Sequence, residues 1–177
     1  MTRLVIIIAA MLCASIAGAQ GVSVVIGISA APGFGFNPGP YVQARASGEH
    51  WLADVTISTE RKHRAVSGYT AQANITGRIS LSPHTFAGLG VYRSQYGTTF
   101  ADGSGWSKAV TVPQAEVGWR SAGGEASASY QRGPSHWGYY SAVGVRAMAL
   151  LGKHFAMQWD LKYSSGYAGR VGVGWRF

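Results

Sequence analysis

Residues 170–177 end the chain with the sequence RVGVGWRF. Val171, Val173, Trp175 and Phe177 take alternate positions, and Arg170, Gly172, Gly174 and Arg176 take those between. An extended strand sends successive side chains to opposite faces, so this stretch has one apolar, aromatic face and one small or cationic face. A transmembrane barrel needs that division in every strand, apolar toward lipid and polar toward the lumen.

Working outward from this end, the same alternation recurs. Its cleanest instance is 69–81, where Tyr69, Ala71, Ala73, Ile75, Ile79 and Leu81 alternate with Thr70, Gln72, Asn74, Thr76, Arg78 and Ser80. No amphipathic helix has that period. Comparable segments are predicted at 21–30, 41–47, 51–60, 85–96, 109–120, 125–131, 139–149 and 155–163, separated by Gly-, Pro- and Ser-rich turns. The sum is ten strands, with eight as the alternative if 21–48 do not pair. Residues 32–40 (PGFGFNPGP), 61–68 and 97–108 read as loops. Connections are expected to alternate in length, the longer ones at the outer end. Segment 85–96 has an ambiguous phase. An arginine facing lipid near the midplane costs ~2–4 kcal/mol, so Arg93 is assigned inward, which sets Phe86, Gly88, Gly90 and Tyr92 outward. The fold class expected is an all-β, antiparallel, up-and-down transmembrane barrel.

The other end of the chain addresses it for export. Arg3, the apolar run at 4–12 and Ala17-Gly18-Ala19 form the three parts of a signal peptide. Residues 1–19 are expected to be removed, leaving a barrel domain of 20–177. The apolar run is too short for a membrane helix, which needs ~20 residues. Cys13 is the sole cysteine and leaves with the signal, because Leu12 is too bulky for a lipoprotein cleavage site. Charged residues make up 12% of the chain against about a quarter in soluble domains. The net charge of +8 falls to +7 without Arg3. Export excludes nucleic acid as the partner of that charge and leaves anionic lipids, lipopolysaccharide phosphates and acidic polymers.

The ending Gly172-x-x-Trp175-x-Phe177 resembles that of small Gram-negative outer-membrane barrels of the OmpA, OmpX and opacity-protein type. The resemblance implies location in the outer membrane. It also implies that Val173, Trp175 and Phe177 belong to the signal read by the barrel-assembly machinery.

Candidate functional residues follow from the inward phase. Asp54, Glu60, Glu116, Glu125 and Asp160 are expected in the lumen with Arg45, Arg78, Arg93, Arg120, Arg146, Lys162, Arg170 and Arg176. Such charges must pair or stay hydrated. They fill the lumen with ion pairs or, bases being in excess, line a narrow anion-favouring diffusion channel. Barrels of about eight strands are just filled by side chains, which favours the filled lumen. Arg61, Lys62, His63 and Arg64 form the densest cationic cluster, suited to lipopolysaccharide phosphates or an external acidic polymer. Ser135, His136 and Asp102 supply the residue types of a lipid A hydrolase. Adjacent Ser and His point to opposite sides of a strand, however, which is poor triad geometry. His50, His84 and His154 start strands too far apart around the wall to share a metal. The glycines of 33–39 lack the lysine and helix of a phosphate loop, so no cofactor is implied. The leading expectation is a non-enzymatic outer-membrane barrel whose cationic, aromatic outer loops contact lipopolysaccharide or an external surface.

Overall fold

The computed structural model describes residues 21–31, 36–63, 66–100, 102–135 and 138–177; side chains at 31, 36–37, 60–63 and 66 are outside the description. The signal peptide of 1–19 falls outside the described residues. Ten antiparallel strands form one closed barrel in which each pairs with its chain neighbours and β1 pairs with β10. They are β1 Gly21–Ala31, β2 Phe36–Ser47, β3 Trp51–His63, β4 Val66–Ser80, β5 Thr85–Phe100, β6 Gly105–Ser121, β7 Gly124–Ser135, β8 Gly138–Leu151, β9 Phe155–Tyr163 and β10 Tyr167–Arg176. Residues 21–48 do pair, so the eight-strand alternative is excluded.

Closure follows from the stretch that ends the chain. Its register with β1 sets Val173 opposite Ile26, Val171 opposite Ile28 and Trp175 opposite Val24, all exposed on the outer wall. The inward partners are Gly27 with Gly172 and Val25 with Gly174. Val25, apolar among apolar neighbours, is fully buried inside, in the space the glycines leave. A Cβ on Gly172 would meet the Ile26 carbonyl oxygen and the Tyr41 hydroxyl. Glycine is required there because Tyr41 of β2 reaches across the seam.

The outer wall is apolar throughout its lower and middle part: Ile75, Ile79, Leu89, Val91, Val117, Val143, Val145, Leu161 and Val171 are all exposed. Inside are Gln43, Arg45, Asp54, Thr56, Asn74, Thr76, Arg78, Gln114, Glu116 and Gln158, all buried. A soluble protein inverts this arrangement. Greasy outside, polar inside and without a free sheet edge, the cylinder is built for hydrocarbon.

Strand extents differ from expectation. β5 and β6 run for 16 and 17 residues and continue through most of 97–108, which the sequence suggested as the longest loop. β3 extends through His63 and β4 starts at Val66, with Arg61 opposite Ser67 and His63 opposite Val66. The expected loop 61–68 is therefore mostly hairpin. β2 starts at Phe36, inside the expected loop 32–40. Cross-strand hydrogen bonding carries these segments past the point where their side-chain pattern fades. The expected alternation of long and short connections is absent, since strands are joined by two to four residues at both ends. The wall is instead uneven: β9 and β10 have 9 and 10 residues. About 9–11 tilted residues cross a bilayer, so β4 to β6 rise well beyond it.

At the rim that holds Gly21 and Phe177, expected to face the periplasm, three histidines complete equivalent turns. The carbonyls of His50, His84 and His154 accept hydrogen bonds from the backbone N–H groups of Arg78, Arg120 and Arg176, each at 2.7 Å. His154 also stacks on Trp175 at 5.1 Å, and Phe155 meets the same indole edge-on at 4.9 Å.

Candidate functional site

The inner face carries three layers of polar chemistry. Nearest the periplasm, Arg78 of β4 and Arg45 of β2 face Glu116 of β6 and Glu125 of β7. Arg78 donates from Nε to Glu116 and from both terminal nitrogens to Glu125, at 3.0 and 3.1 Å. Arg45 donates to Glu125 at 2.6 Å. The ring of Phe86 lies against the Arg78 guanidinium, 4.2 Å from the centroid, and covers Gly118. Two forks against two carboxylates nearly balance this layer.

In the middle layer Arg146 of β8 bridges Asp54 of β3 and Asp160 of β9, with both contacts at 2.8 Å. The remaining carboxylate lone pairs accept from Gln43 and Asn74 on Asp54 and from Gln158 on Asp160. An amide chain continues through Gln114, which donates to Asn74, to Gln131, which donates to Gln114 at 2.6 Å. In the upper layer Tyr92 and Tyr140 stack at 6.4 Å beside Val110 and Val112. Lys162 sits over the Tyr92 ring, 3.7 Å from its centroid. Arg170 donates to Gln72 at 2.6 Å.

Each layer spans strands on opposite sides of the cylinder, so side chains cross the bore. The cavity left among Asp54, Asn74, Gln114, Arg146, Lys162 and Arg170 has a volume of about 90 Å³. That is room for several waters.

Asp54, Arg78, Glu116, Glu125, Arg146, Asp160, Lys162 and Arg170 therefore face the lumen as the alternation predicts. Arg120 and Arg176 face inward at the periplasmic mouth, Arg120 donating to Ser80 at 2.7 Å and Arg176 lying against Gly21. The Glu60 side chain lies outside the described residues.

Arg93 corrects the reading. β5 has the opposite phase: Phe86, Gly88, Tyr92 and Ser94 are buried inside, while Leu89, Val91 and Arg93 are exposed on the outer wall. The lipid cost was charged to a midplane position, but β5 runs to Phe100. Arg93 is eight residues above Thr85, a rise of roughly 20 Å for a strand tilted about 40°. At that height an arginine reaches the headgroups. The same phase turns Phe86 and Tyr92, expected outward, into the barrel. It also removes one base from the expected lumen excess: in the three layers, five bases (Arg45, Arg78, Arg146, Lys162, Arg170) face four acids.

Sequence reasoning missed Arg132. It lay just past the predicted strand at 125–131, yet parity with Glu125, Ser127, Ser129 and Gln131 would have placed it outward, where it is. Its guanidinium lies 5.1 Å from the centroid of the Tyr139 ring.

In the loop cluster, Arg61, Lys62 and His63 have their backbones in β3. Their side chains, and Arg64 entirely, lie outside the described residues. Of the hydrolase set, His136 lies outside the description and the Ser135 hydroxyl donates to the Gly138 carbonyl at 3.4 Å. Asp102 accepts from the Ser104 hydroxyl at 2.6 Å and from its N–H at 2.9 Å. Those two bonds hold its carboxyl below the usual carboxylate range. Asp102 thus closes its own turn.

No protein-family model matches the chain, and no curated protein matches it. Among solved structures it is similar to Ail, the attachment invasion locus protein of Yersinia pestis, crystallised with the heparin analogue sucrose octasulfate. That pair has 14% identity over 89% of this chain and 98% of that one, with a TM-score of 0.37. It is also similar to the beta domain of the Bordetella autotransporter BrkA, at 13% identity over 90% and 100%, TM-score 0.47. A third is the translocator domain of NalP from Neisseria meningitidis, at 15% over 90% and 88%, TM-score 0.37. At such identities and scores the likeness is one of barrel architecture alone. What the strand pairing and the exposed apolar wall establish is a closed ten-stranded antiparallel β-barrel, apolar outside and polar within.

Proposed function

We propose that this protein is a non-enzymatic, non-conducting barrel that displays a cationic hairpin tip to lipopolysaccharide at the cell surface. The observation that carries the reading is the crossed bore: ion pairs and amide bonds span it in the lower and middle layers, beside a cavity of about 90 Å³. With transport through the centre disfavoured, activity falls to the outer surface. The β3–β4 hairpin supports that role, because its backbone pairing carries Arg61, Lys62 and His63 to the end of a long pair of strands, and Arg64 follows them in sequence. Clustered bases there attract phosphate-bearing glycans through charge and, for arginine, through bidentate hydrogen bonds. Val173, Trp175 and Phe177 present an exposed apolar edge at the periplasmic end. Such an edge suits recognition by the barrel-assembly machinery after export through the inner membrane, with signal cleavage near Ala19-Gln20.

Two measurements test this. Refolded protein in planar bilayers is expected to give no stable single-channel steps; regular steps would support the anion-favouring channel instead. The variant Arg61→Gln/Lys62→Gln/Arg64→Gln is expected to lose about tenfold in affinity for soluble lipopolysaccharide core oligosaccharide at low salt, and less at high salt, where charge is screened. Unchanged binding would refute the hairpin role.

A further inference from the structure

On the face formed by β5 to β8 the outward residues change from apolar to polar at one level. Val91 gives way to Arg93 on β5, Pro113 to Thr111 on β6, Tyr130 to Arg132 on β7, and Val143 to Ser141 on β8; all eight are exposed. Within each hairpin the register keeps the step together, with Val91 opposite Pro113 and Arg93 opposite Thr111, and Tyr130 opposite Val143 and Arg132 opposite Ser141. Between the hairpins, where Gln114 faces Gln131, the ladder sets Arg132 one pair lower than Arg93, the stagger that tilted strands of a barrel bring to a similar height. It marks the upper limit of the apolar band, where headgroups begin.

Two guanidiniums stand on that line. Arg93 donates to the Thr111 hydroxyl at 3.0 Å, and Arg132 rests near the Tyr139 ring. Among the described residues, neither has a carboxylate partner. Asp54, Glu116, Glu125 and Asp160 are committed inside the barrel, Glu49 faces His50 at the other rim, and Asp102 closes its turn. A lipid-facing arginine at this boundary needs a counter-anion, and the medium supplies one only as a headgroup. β5 and β7 flank β6, so the two backbones are roughly 10 Å apart, within reach of two arginine side chains converging on one ligand. The β6–β7 ladder stops at this same height: its last pair is Gln114 with Gln131, and the next residue, Pro113, has no N–H to donate.

We propose that Arg93 and Arg132, with the hydroxyls of Thr111 and Ser141, form a wall site for the phosphate groups of a phosphorylated glycolipid of the outer leaflet. The site rests on the outer-membrane reading above but is separate from the β3–β4 hairpin. Arginine forks match phosphate oxygens in pairs, and the hydroxyls add donors between them.

The test uses the mature barrel in phosphatidylcholine nanodiscs titrated with diphosphoryl lipid A. Arg93→Gln/Arg132→Gln is expected to weaken retention about tenfold or more, as for loss of two charge-assisted contacts. The hairpin triple variant should hold the embedded lipid like wild type while losing the soluble oligosaccharide, so failure of either idea can be told from failure of the other. Lipid A stripped of both phosphates should bind wild type no better than intact lipid binds the double variant. If the double variant does not fold, Arg93→Lys and Arg132→Lys take its place, each expected to weaken binding severalfold because lysine lacks the fork. Wild-type affinity in the arginine variants, equal binding of phosphate-free lipid, or equal preference for phosphatidylglycerol would overturn the proposal.

Discussion

Replacing Arg78 by methionine is expected to lower the unfolding free energy by about 3–5 kcal/mol, the usual cost of removing one member of a buried ion pair. Arg78 is 4% exposed and is the shared partner of Glu116 and Glu125. Glu125 keeps Arg45, but Glu116 is left with no cation among its described contacts. The substitution also removes the guanidinium from the Phe86 ring. Urea unfolding in lipid vesicles, followed by tryptophan fluorescence, measures the loss. Adding Glu116→Gln should recover part of it, because a neutral amide costs less to bury than an orphaned carboxylate. A loss below about 1 kcal/mol, the size of a solvated surface pair, would mean that water reaches the layer and that the bore is open.

Gly172→Val is expected to prevent closure or to cost more than the ~1–3 kcal/mol of ordinary overpacking. The new Cβ would lie 2.6 Å from the Ile26 carbonyl oxygen, on the strand that Gly172's own strand must pair with, and would overlap the Tyr41 hydroxyl. The two obstacles differ. The Tyr41 side chain can turn away, whereas the Ile26 carbonyl is fixed in the ladder. Tyr41→Ala should therefore rescue Gly172→Val only in part, and a double-mutant cycle measures how much. Heat-modifiable migration on gels reports the folded fraction. Full rescue would place the whole constraint in the side chain; an unaffected Gly172→Val would mean that the seam does not form as described.

Arg93 shows where sequence reasoning stopped. The alternation of β5 fits either phase, with Phe86 and Tyr92 on one side and Leu89 and Val91 on the other. A penalty for arginine in lipid was used to choose, and it depends steeply on depth. Depth comes from where a strand starts and from its neighbours' registers, neither of which is a property of the strand. The aromatic residues could not decide either, because Phe86 covers an arginine and a glycine inside, while Trp119 and Trp175 face outward at the same rim. Arg132 was lost for a simpler reason: the predicted strand ended one residue too early.

By itself the sequence determined what depends on a period of two. It set the all-β class, which residues of nine strands face outward, the polar inner face, and the last strand that closes the cylinder, with ten strands favoured over eight. Those features are local, since a pleated backbone sends each side chain opposite to the next whatever lies beside it. Only the tertiary structure decided the phase of β5, the extension of β4 to β6 past the bilayer, the pairing of Arg78 with Glu116 and Glu125, and the placing of Arg93 and Arg132 on the outer wall two strands apart. These depend on register across strands as distant in sequence as those of Ser23 and Arg176. Register is fixed jointly by the whole ring when it closes.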